Sequence, residues 1–290
     1  MAAVHSSAIQ VIPTGKALGA EIRGLDLSKG VSATDFAVVK RAWLDHLVLL
    51  FRGQTLSDAQ LQSFAALFGP LDLAPPNVKG SPWLPETPHL TVISNVKENG
   101  KAIGSLENGE AIWHTDMSYM ELPPTASLLY CLECPPEGGD TWFANMYAAY
   151  DELPDQLKNK LRGRRAIHDA TYNSAGQMRK GFKEVTDPRE APGARHPIIR
   201  THPETGRKTL FLGRRRNNYV MDLPPEESER LLDQIWGQMT KESFVWRHHW
   251  QPGDLLVWDN RCTMHRRDSF DDKYRRVMHR AQVRGTQPVE

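Results

Sequence analysis

The sequence predicts an α+β protein whose core is mainly β, with a few helices packed outside two sheets. Most apolar residues fall in short runs that end at turn-forming residues, which is typical of strands. Only four segments show the apolar spacing of an amphipathic helix. The 290 residues contain no internal repeat and no low-complexity linker, so we expect one domain that covers residues 1–290.

Helix start and stop signals support three of these four segments. Ser32 or Thr34 is a suitable N-cap for the first helix, and Ser57 caps the second, which ends at Gly69-Pro70. The last helix begins beside two prolines and has two acidic residues in its first turn. The predicted helices span residues 32–46, 57–68, 146–152 and 225–240.

Short, turn-bounded runs of apolar and aromatic residues predict the strands. Residues 9–26 alternate such runs with Gly and Pro and predict a strand followed by a turn. The other predicted strands span residues 47–51, 90–95, 127–134, 197–201, 209–212, 244–250 and 254–258. Many short strands without long helices between them favour a double-sheet architecture.

Residues 172–196 are polar, contain Gly and Pro, and lack a strong period, which predicts a long mobile loop. Two interpretations of this loop stay open. It is either a plain surface excursion or a lid over a site.

Charge and composition exclude several classes of protein. Lys and Arg number 36 and Asp and Glu number 35, so the net charge is close to zero and does not favour binding to nucleic acid or to a membrane surface. No apolar run is long enough for a membrane-spanning helix and no secretory signal is visible, so a cytoplasmic location is expected.

Three cysteines cannot all pair, which fits a reducing compartment. Cys131 and Cys134 form a lone CxxC without a second pair, so we do not expect a zinc or redox site there.

A candidate metal site begins with the segment Trp113-His114-Thr115-Asp116. In extended backbone, residues i and i+2 point to the same face, so His114 and Asp116 could meet one ion from one strand edge. His265 is the best third ligand, because it follows an apolar strand and a turn. Two histidines and one carboxylate leave three positions of an octahedral ion open, as in Fe(II) oxygenases.

The remaining histidines are interpreted as structural. The real competitor forms an HxE with Glu204, but Pro203 and Thr205-Gly206 mark a tight turn there. The histidines set aside are His168, His202, His248, His249 and His279.

Two arginines follow the third candidate ligand. Arg276 and Arg280 lie 11 and 15 positions beyond His265, and their even separation places both on one strand face. A planar guanidinium is suited to bind a carboxylate through two hydrogen bonds. Alone, this segment would be read as a basic edge strand, but beside three metal ligands it supplies what a dicarboxylate co-substrate requires.

Seven blocks of sequence occur in order along the chain. They are GAEIRGLDL, LFRGQTLSDAQLQSFAALFGPLD, WHTDMSYMELPP, PPEGGDTWFANMYAAYDEL, IIRTHPETGRKTLF, WQPGDLLVWDNRCTMHR and YRRVMHRAQVRG. Together they resemble the family of Fe(II)- and 2-oxoglutarate-dependent enzymes that includes taurine dioxygenase and 2,4-dichlorophenoxyacetate dioxygenase. The resemblance runs from about Leu18 to Gly285.

The resemblance implies a fold, a cofactor and a set of site residues. The fold would be a double-stranded β-helix, a jelly-roll of the cupin-like kind, with flanking helices. His114, Asp116 and His265 would bind Fe(II), with 2-oxoglutarate and O2 as co-substrates. Thr141 and Arg276 would hold the distal carboxylate of 2-oxoglutarate. Arg280 would face the anionic end of the substrate, with Asn95 near the pocket, while Trp258 and Asn260 are read as core packing and a turn.

The substrate is expected to be a small organic anion, and an aryloxyalkanoate such as 2,4-dichlorophenoxyacetate is placed first. The stretch FGPLDLAPPN and Glu110 depart from the taurine pattern. Lys79 and Lys101 are similar to the added lysines of the aryloxyacetate branch, although both could be solvated surface residues. We also expect a homo-oligomer, from dimer to tetramer, without a nucleic-acid or membrane partner.

Alternative functions belong to other classes. A taurine, alkylsulfonate or alkyl sulfate dioxygenase would use the same iron chemistry. A cupin-like metal hydrolase or isomerase, or a non-catalytic metal-binding protein, would not need Thr141 with Arg276. A nucleic-acid demethylase would need a basic groove, and only Arg164-Arg165 and Arg214-Arg215-Arg216 are dense in charge away from the proposed site.

Overall fold

The computed structural model describes residues 9–77, 80–106, 111–213 and 216–290. The α-helices in these residues are α1 (Ala33–His46), α2 (Asp58–Ala66), α3 (Met146–Asp151), α4 (Asp155–Leu161) and α5 (Pro225–Met239). The first strands are β1 (Gln10–Pro13), β2 (Ala20–Arg23), β3 (Val48–Phe51), β4 (Leu90–Ser94), β5 (Lys97–Glu98), β6 (Lys101–Ala102), β7 (Ala111–His114), β8 (Ala126–Glu133) and β9 (Thr141–Asn145). They are followed by β10 (Arg165–Ile167), β11 (Arg195–Pro197), β12 (Ile199–Thr201), β13 (Lys208–Leu210), β14 (Tyr219–Val220), β15 (Val245–His248), β16 (Leu255–Asp259), β17 (Thr263–Arg267) and β18 (Val277–Val283).

Seven strands form the larger sheet, in the order β1-β2-β3-β16-β8-β18-β4. Its neighbours pair antiparallel except β2 and β3, which run parallel. Side chains of β16 alternate between the two faces of this sheet. Leu255 and Val257 join the apolar cluster that contains residues of α1 and α2, whereas Leu256 and Trp258 join a second cluster on the opposite face.

Four strands form the smaller sheet, in the order β15-β9-β17-β7, and all of them pair antiparallel. Phe143 of β9 lies in the same apolar cluster as Leu129 of β8 and Met278 of β18, so the two sheets face each other. On the outer side of the smaller sheet, Met264 lies in a cluster that includes residues of α3 and α5, such as Ile235. The layers are therefore α1 with α2, the larger sheet, the smaller sheet, and α3 with α5.

The four predicted helices are present, and local chemistry explains their starts. The Ser32 side chain accepts a hydrogen bond from the Asp35 backbone N–H at the start of α1. Ser57 and Gln60 form a capping box at the start of α2. Helix α4 was not predicted, because Leu161 is its one buried residue and Pro154 gives no side-chain cap. Such a helix has no amphipathic pattern to detect.

The strands predicted from residue 47 onward are present with ends that differ by one or two residues, whereas residues 9–26 form two strands, β1 and β2, where one was predicted. The strands that the predicted ranges do not account for are β5, β6, β7, β9, β10, β11, β14, β17 and β18. Strand β17 reads TMHRR, which is not an apolar run that a strand prediction would detect. The basic segment that contains β18 is not an edge strand, since β18 lies between β8 and β4. Among the described residues, no helix is both long enough and apolar enough to cross a membrane.

Candidate metal centre and cavity

The two candidate histidine ligands face each other across one strand pair. His114 ends β7, His265 lies in the middle of β17, and the two are register partners. Their ring centroids lie 4.2 Å apart. Asp116 lies in the turn after β7, where Met117 has a φ of 45°. The expectation of one extended strand edge through Asp116 is therefore wrong, and the turn is what returns the carboxylate to the two rings.

The three candidate ligand atoms lie close to one another. Oδ1 of Asp116 lies 3.7 Å from Nε2 of His114 and 3.8 Å from Nε2 of His265. All three ligand atoms lie within 4.8 Å of one another, and all three residues are buried. Nδ1 of His114 lies 2.7 Å from the carbonyl oxygen of Ile112. Because a carbonyl only accepts, Nδ1 carries the proton and the Nε2 lone pair is available to a metal.

The electrostatics of the three residues also suit metal binding. Burial and then the nearby His114 lower the pKa of His265 to about 3, although Asp116 acts in the opposite direction. His265 is therefore neutral near pH 7 and able to bind through a lone pair. Burial alone would raise the pKa of Asp116, but Arg280, His265 and His114 outweigh it and hold that pKa well below its usual range. The carboxylate is ionised, as a ligand must be.

A cavity of about 930 Å³ opens beside these residues. His114 and His265 line it, together with Thr141, Arg276 and Arg280. Its positively charged lining residues are Lys180, Arg267, Arg276 and Arg280. No Asp or Glu is among the described residues that line the cavity. The large apolar residues on its wall include Trp83, Ile93, Leu106, Leu129 and Trp258. The cavity thus combines several cationic side chains with large apolar residues.

Arg276 is the most deeply buried cation of the cavity, with 1% of its surface exposed. Its Nε has no hydrogen-bond partner within the described parts of the chain. Burial and then the charge of Arg267 lower the pKa of Arg276 to about 9, which leaves it protonated near pH 7. A buried guanidinium with an unused donor is a ready partner for a carboxylate.

Thr141 lies in the same cavity and is prepared to donate a hydrogen bond. Its Oγ1 accepts from Nε1 of Trp250 at 3.0 Å. An indole N–H only donates, so the hydroxyl hydrogen of Thr141 stays available for another acceptor. Thr141 is also the register partner of Arg267 across β9 and β17, which explains why both line the cavity.

Asn95 lies beside the cavity, as expected, but does not line it. Its Nδ2 donates to the carbonyl oxygen of Tyr274 at 2.9 Å, and its Oδ1 accepts from the backbone N–H of Arg276 at 2.9 Å. Both ends of the amide are therefore engaged by the backbone, and Asn95 is not among the residues that line the cavity. It anchors the segment that carries Arg276 rather than facing a substrate.

The structure describes only one of the two predicted substrate lysines, Lys101. Lys79 lies outside the described residues, as do Glu110 and two arginines of the basic cluster, Arg214 and Arg215. Lys101 is exposed in the short β5–β6 ribbon and does not line the cavity. A lysine that was not predicted, Lys180, lines it instead.

The first part of the 172–196 segment is folded against the cavity. Tyr172 forms an isolated bridge with Met178, and Ile112 N–H donates to the Ser174 carbonyl at 3.0 Å. Arg179 lies over the Tyr119 ring, with its guanidinium carbon 3.9 Å from the ring centroid. Asn173, Ser174 and neighbouring residues of this hairpin line the cavity. It is therefore part of the cavity wall rather than a plain surface excursion.

The competing histidine belongs to a buried ion-pair cluster. Nε2 of His202 lies 3.0 Å from Oδ2 of Asp259, and Cys262 is close enough to complete a possible ligand group. Arg261 donates to both oxygens of Asp259, at 2.8 and 2.7 Å. Burial and then Asp259 raise the pKa of the Cys262 thiol, so it stays protonated. A neutral thiol beside a carboxylate already held by a guanidinium is a poor metal site.

The chain matches the family model described as "Taurine catabolism dioxygenase TauD, TfdA family" over residues 10–282. The chain belongs to the TauD/TfdA family. It is accordingly an Fe(II)- and 2-oxoglutarate-dependent dioxygenase. The donor set described above fits this assignment, because two imidazoles and one carboxylate are the ligands of non-haem Fe(II) oxygenases.

Relatives within the TauD/TfdA family act on several kinds of compound. The α-ketoglutarate-dependent 2,4-dichlorophenoxyacetate dioxygenase of Cupriavidus pinatubonensis is 36% identical over 277 residues, which covers 93% of this chain and 95% of that protein. The (S)-phenoxypropionate/α-ketoglutarate-dioxygenase of Sphingobium herbicidovorans is 30% identical and covers 97% and 96%. The α-ketoglutarate-dependent sulfate ester dioxygenase of Pseudomonas putida is 32% identical and covers 99% and 93%.

Solved structures of TauD/TfdA-type proteins share this fold. The crystal structure of AAD-2 in complex with Mn(II) and N-oxalylglycine has a TM-score of 0.80 and 30% identity, and covers 98% of this chain and 100% of that one. A putative α-ketoglutarate-dependent taurine dioxygenase from Burkholderia xenovorans gives 0.78 and 31%, and covers 97% and 91%. The mixed, strand-rich architecture is therefore that of the family's enzymes.

Proposed function

We propose that this dioxygenase hydroxylates a small aryloxyalkanoate or a related carboxylic acid in the cavity beside His114, Asp116 and His265. The observation that carries the proposal is the cavity itself. Its charged lining residues within the described chain are all cations, and its remaining wall is largely apolar. An aryloxyalkanoate has the matching halves, a carboxylate and an aromatic body.

His114, Asp116 and His265 would hold Fe(II) through two Nε2 atoms and Oδ1. When bound there with 2-oxoglutarate and O2, Fe(II) supplies the oxidation that hydroxylates a substrate C–H bond and releases succinate and CO2. The chain's own part is to present three ligands on one side and to keep the remaining side open to the cavity. The turn after β7 does this by bringing Asp116 back to the same side as both rings.

Thr141 and Arg276 would hold the distal carboxylate of 2-oxoglutarate. Arg276 offers a buried Nε–H that no described residue uses, and Thr141 offers a hydroxyl hydrogen. A guanidinium and a hydroxyl on one carboxylate form charge-assisted hydrogen bonds, which are stronger than neutral ones. This pair also disfavours a cupin-like hydrolase or isomerase, because neither needs to hold a dicarboxylate.

Arg280 would receive the carboxylate of the substrate. Its Nη1 lies 3.5 Å from Oδ1 of Asp116, so an anion on this guanidinium lies beside the metal ligands. In an aryloxyacetate a single carbon separates the carboxylate from the ether oxygen, and that carbon would then be the one within reach. Hydroxylation there gives a hemiacetal, which collapses into a phenol and an aldehyde acid.

A taurine-like substrate is less suited to the same cavity. Taurine carries an ammonium group, and the described lining residues offer it no carboxylate. An alkyl sulfate or sulfonate without an ammonium group remains the second candidate. The sulfate ester dioxygenase of Pseudomonas putida, at 32% identity, favours including that class in any assay.

The proposal also includes the architecture, the oligomeric state and the location of the enzyme. The two facing sheets would be the halves of a double-stranded β-helix in a single domain over residues 1–290. A homo-oligomer, from dimer to tetramer, in the cytoplasm is the form that we propose. The residue assignments above do not depend on any of these properties.

The test is a substrate panel in which succinate formation is measured with Fe(II) and 2-oxoglutarate. The panel contains aryloxyacetates, phenoxypropionates, alkyl sulfates, alkylsulfonates and taurine, each with its hydroxylated or cleaved product measured in parallel. We expect the highest coupled turnover with an aryloxyalkanoate. Coupled turnover with taurine alone would overturn the proposal for the substrate, and absence of 2-oxoglutarate consumption with every acid would overturn the assignment of the site.

A further inference from the structure

Three buried hydrogen bonds connect Trp258 to the candidate ligand Asp116. Nε1 of Trp258 donates to Oδ1 of Asn260 at 2.9 Å. Nδ2 of Asn260 donates to Oγ of Ser127 at 2.9 Å. Oγ of Ser127 donates to Oδ2 of Asp116 at 2.8 Å. At most 4% of any of these four residues is exposed, so water does not compete for the bonds.

The direction of this chain of bonds is fixed by the indole. An indole N–H only donates, so Asn260 must present its carbonyl oxygen to Trp258. The amide of Asn260 then has its N–H groups on the side of Ser127. Because the Ser127 oxygen accepts from Asn260, its own hydrogen is left for Asp116. The indole N–H of Trp258 therefore fixes the orientation of Asn260, and as a result the hydroxyl of Ser127 donates to the carboxylate of Asp116.

The sheet register builds this connection into the fold. Trp258 of β16 and Ser127 of β8 are direct register partners in the larger sheet. The backbone N–H of Asn260 donates to the carbonyl oxygen of Thr125 at 3.0 Å, which holds the residue after β16 against the start of β8. The hydrogen-bonded residues Ser127, Asn260 and Trp258, here called the relay, are thus attached to two central strands, whereas Asp116 itself lies in a turn.

We propose that Ser127, Asn260 and Trp258 are positioning residues that restrict Asp116 to binding the metal through Oδ1 alone. This inference rests on the proposed role of Asp116 as a metal ligand. Oδ2 is engaged by Ser127, while Oδ1 is the oxygen that lies 3.7 and 3.8 Å from the two Nε2 atoms. A carboxylate that bound through both oxygens would occupy a position that the co-substrates require.

The test measures metal binding rather than turnover, with Mn(II) and Co(II) under anaerobic conditions. Ser127→Ala removes the donor to Oδ2, Ser127→Thr retains it, and Trp258→Phe removes the group that orients Asn260. Ser228→Ala is the matched control, because Ser228 is 1% exposed, its hydroxyl oxygen accepts a hydrogen bond from the Val220 N–H at 2.9 Å, and it does not line the cavity. Thermal unfolding of each variant reports on general damage to the fold.

We expect Ser127→Ala to weaken metal affinity about 10- to 100-fold, the usual effect of losing a residue that supports a ligand. The Co(II) absorption bands should shift as well, because the carboxylate gains freedom to bind through both oxygens. Ser127→Thr should restore affinity and spectrum, and Trp258→Phe should weaken affinity in the same direction by less. Ser228→Ala should bind metal as the wild type does.

Wild-type affinity and an unchanged Co(II) spectrum in Ser127→Ala would overturn the inference. If that variant fails to fold, unchanged metal binding by Trp258→Phe would overturn it in the same way. Asp116→Ala is included so that two failures can be told apart. If it loses the metal while Ser127→Ala keeps it, the relay is refuted and the ligand assignment stands; if Asp116→Ala also keeps the metal, the proposed metal site is refuted.

Discussion

Arg280, which lines the cavity, contacts Asp116 at a distance of 3.5 Å between Nη1 and Oδ1. The contact places a guanidinium next to the carboxylate oxygen that faces both histidines. Arg276, four residues earlier, is more deeply buried. Among the described residues it has no ion-pair partner. The two arginines therefore sit at different places in one cavity, which suggests separate tasks for them.

Arg280→Gln should separate oxidant formation from substrate hydroxylation. Without the guanidinium, the substrate anion is not held beside the metal ligands, and misplacement by about 1 Å can lower a rate about 100-fold. We expect the ratio of hydroxylated product to succinate to fall, with little change in the half-saturating concentration of 2-oxoglutarate. The measurement is paired yields of both products from the best acid of the panel. A variant that remains fully coupled would show that Arg280 does not hold the substrate.

Arg276→Ala should raise the half-saturating concentration of 2-oxoglutarate. Loss of a buried charge-assisted pair costs about 2 to 5 kcal/mol, and at about 1.4 kcal/mol per tenfold the increase is at least about 30-fold. Arg275→Ala is the matched control, since Arg275 is adjacent but exposed and paired with Glu133. Equal effects of the two substitutions on 2-oxoglutarate would contradict the assignment of Arg276.

Replacement of any one of His114, Asp116 and His265 by Ala should remove turnover. The loss should exceed the about 10- to 100-fold that follows when only a supporting partner of a ligand is lost. Turnover and bound iron are measured at ordinary iron concentrations, with His89→Ala as a control, because His89 bonds the Asp72 backbone outside the cavity. Near-normal activity in one ligand variant would remove that residue from the metal site.

Lys180→Gln should slow the capture of anionic substrates. Lys180 is exposed yet lines the cavity, so its charge acts on an acid that enters. We expect kcat/KM to fall about two- to fivefold, the scale of one exposed charge interaction, and its dependence on salt to weaken. The value of kcat should not change.

Lys183→Gln is the matched control for Lys180. Lys183 is exposed in the same segment and is not among the described residues that line the cavity. The two substitutions change the net charge equally, so an effect of overall charge would be the same in both. Equal losses of kcat/KM would therefore show that Lys180 has no specific place in substrate entry.

Sequence patterns predicted four of the five helices, part of the strands and the ordered motifs of the site. Helices α1 and α2 were predictable because Ser32 and Ser57 cap them and their apolar faces recur at helical spacing. Thr141 and Arg276 were expected from ordered motifs, and both line the cavity. The helix predictions depend on residue types and spacings along the chain, whereas the role of Thr141 was implied by the resemblance to the family.

The tertiary structure alone decided which residues meet. The turn after β7, the β17–β7 register and the engagement of Asn95 by backbone groups depend on contacts between distant segments. Ser127 shows the same limit, because a serine at the start of a strand has no pattern that indicates a carboxylate partner. Its contact with Asp116 exists only because β8 pairs with β16 in one register and the turn brings the carboxylate to it. Sequence spacing specifies side-chain direction within one element, whereas the packing of elements sets the distances between them.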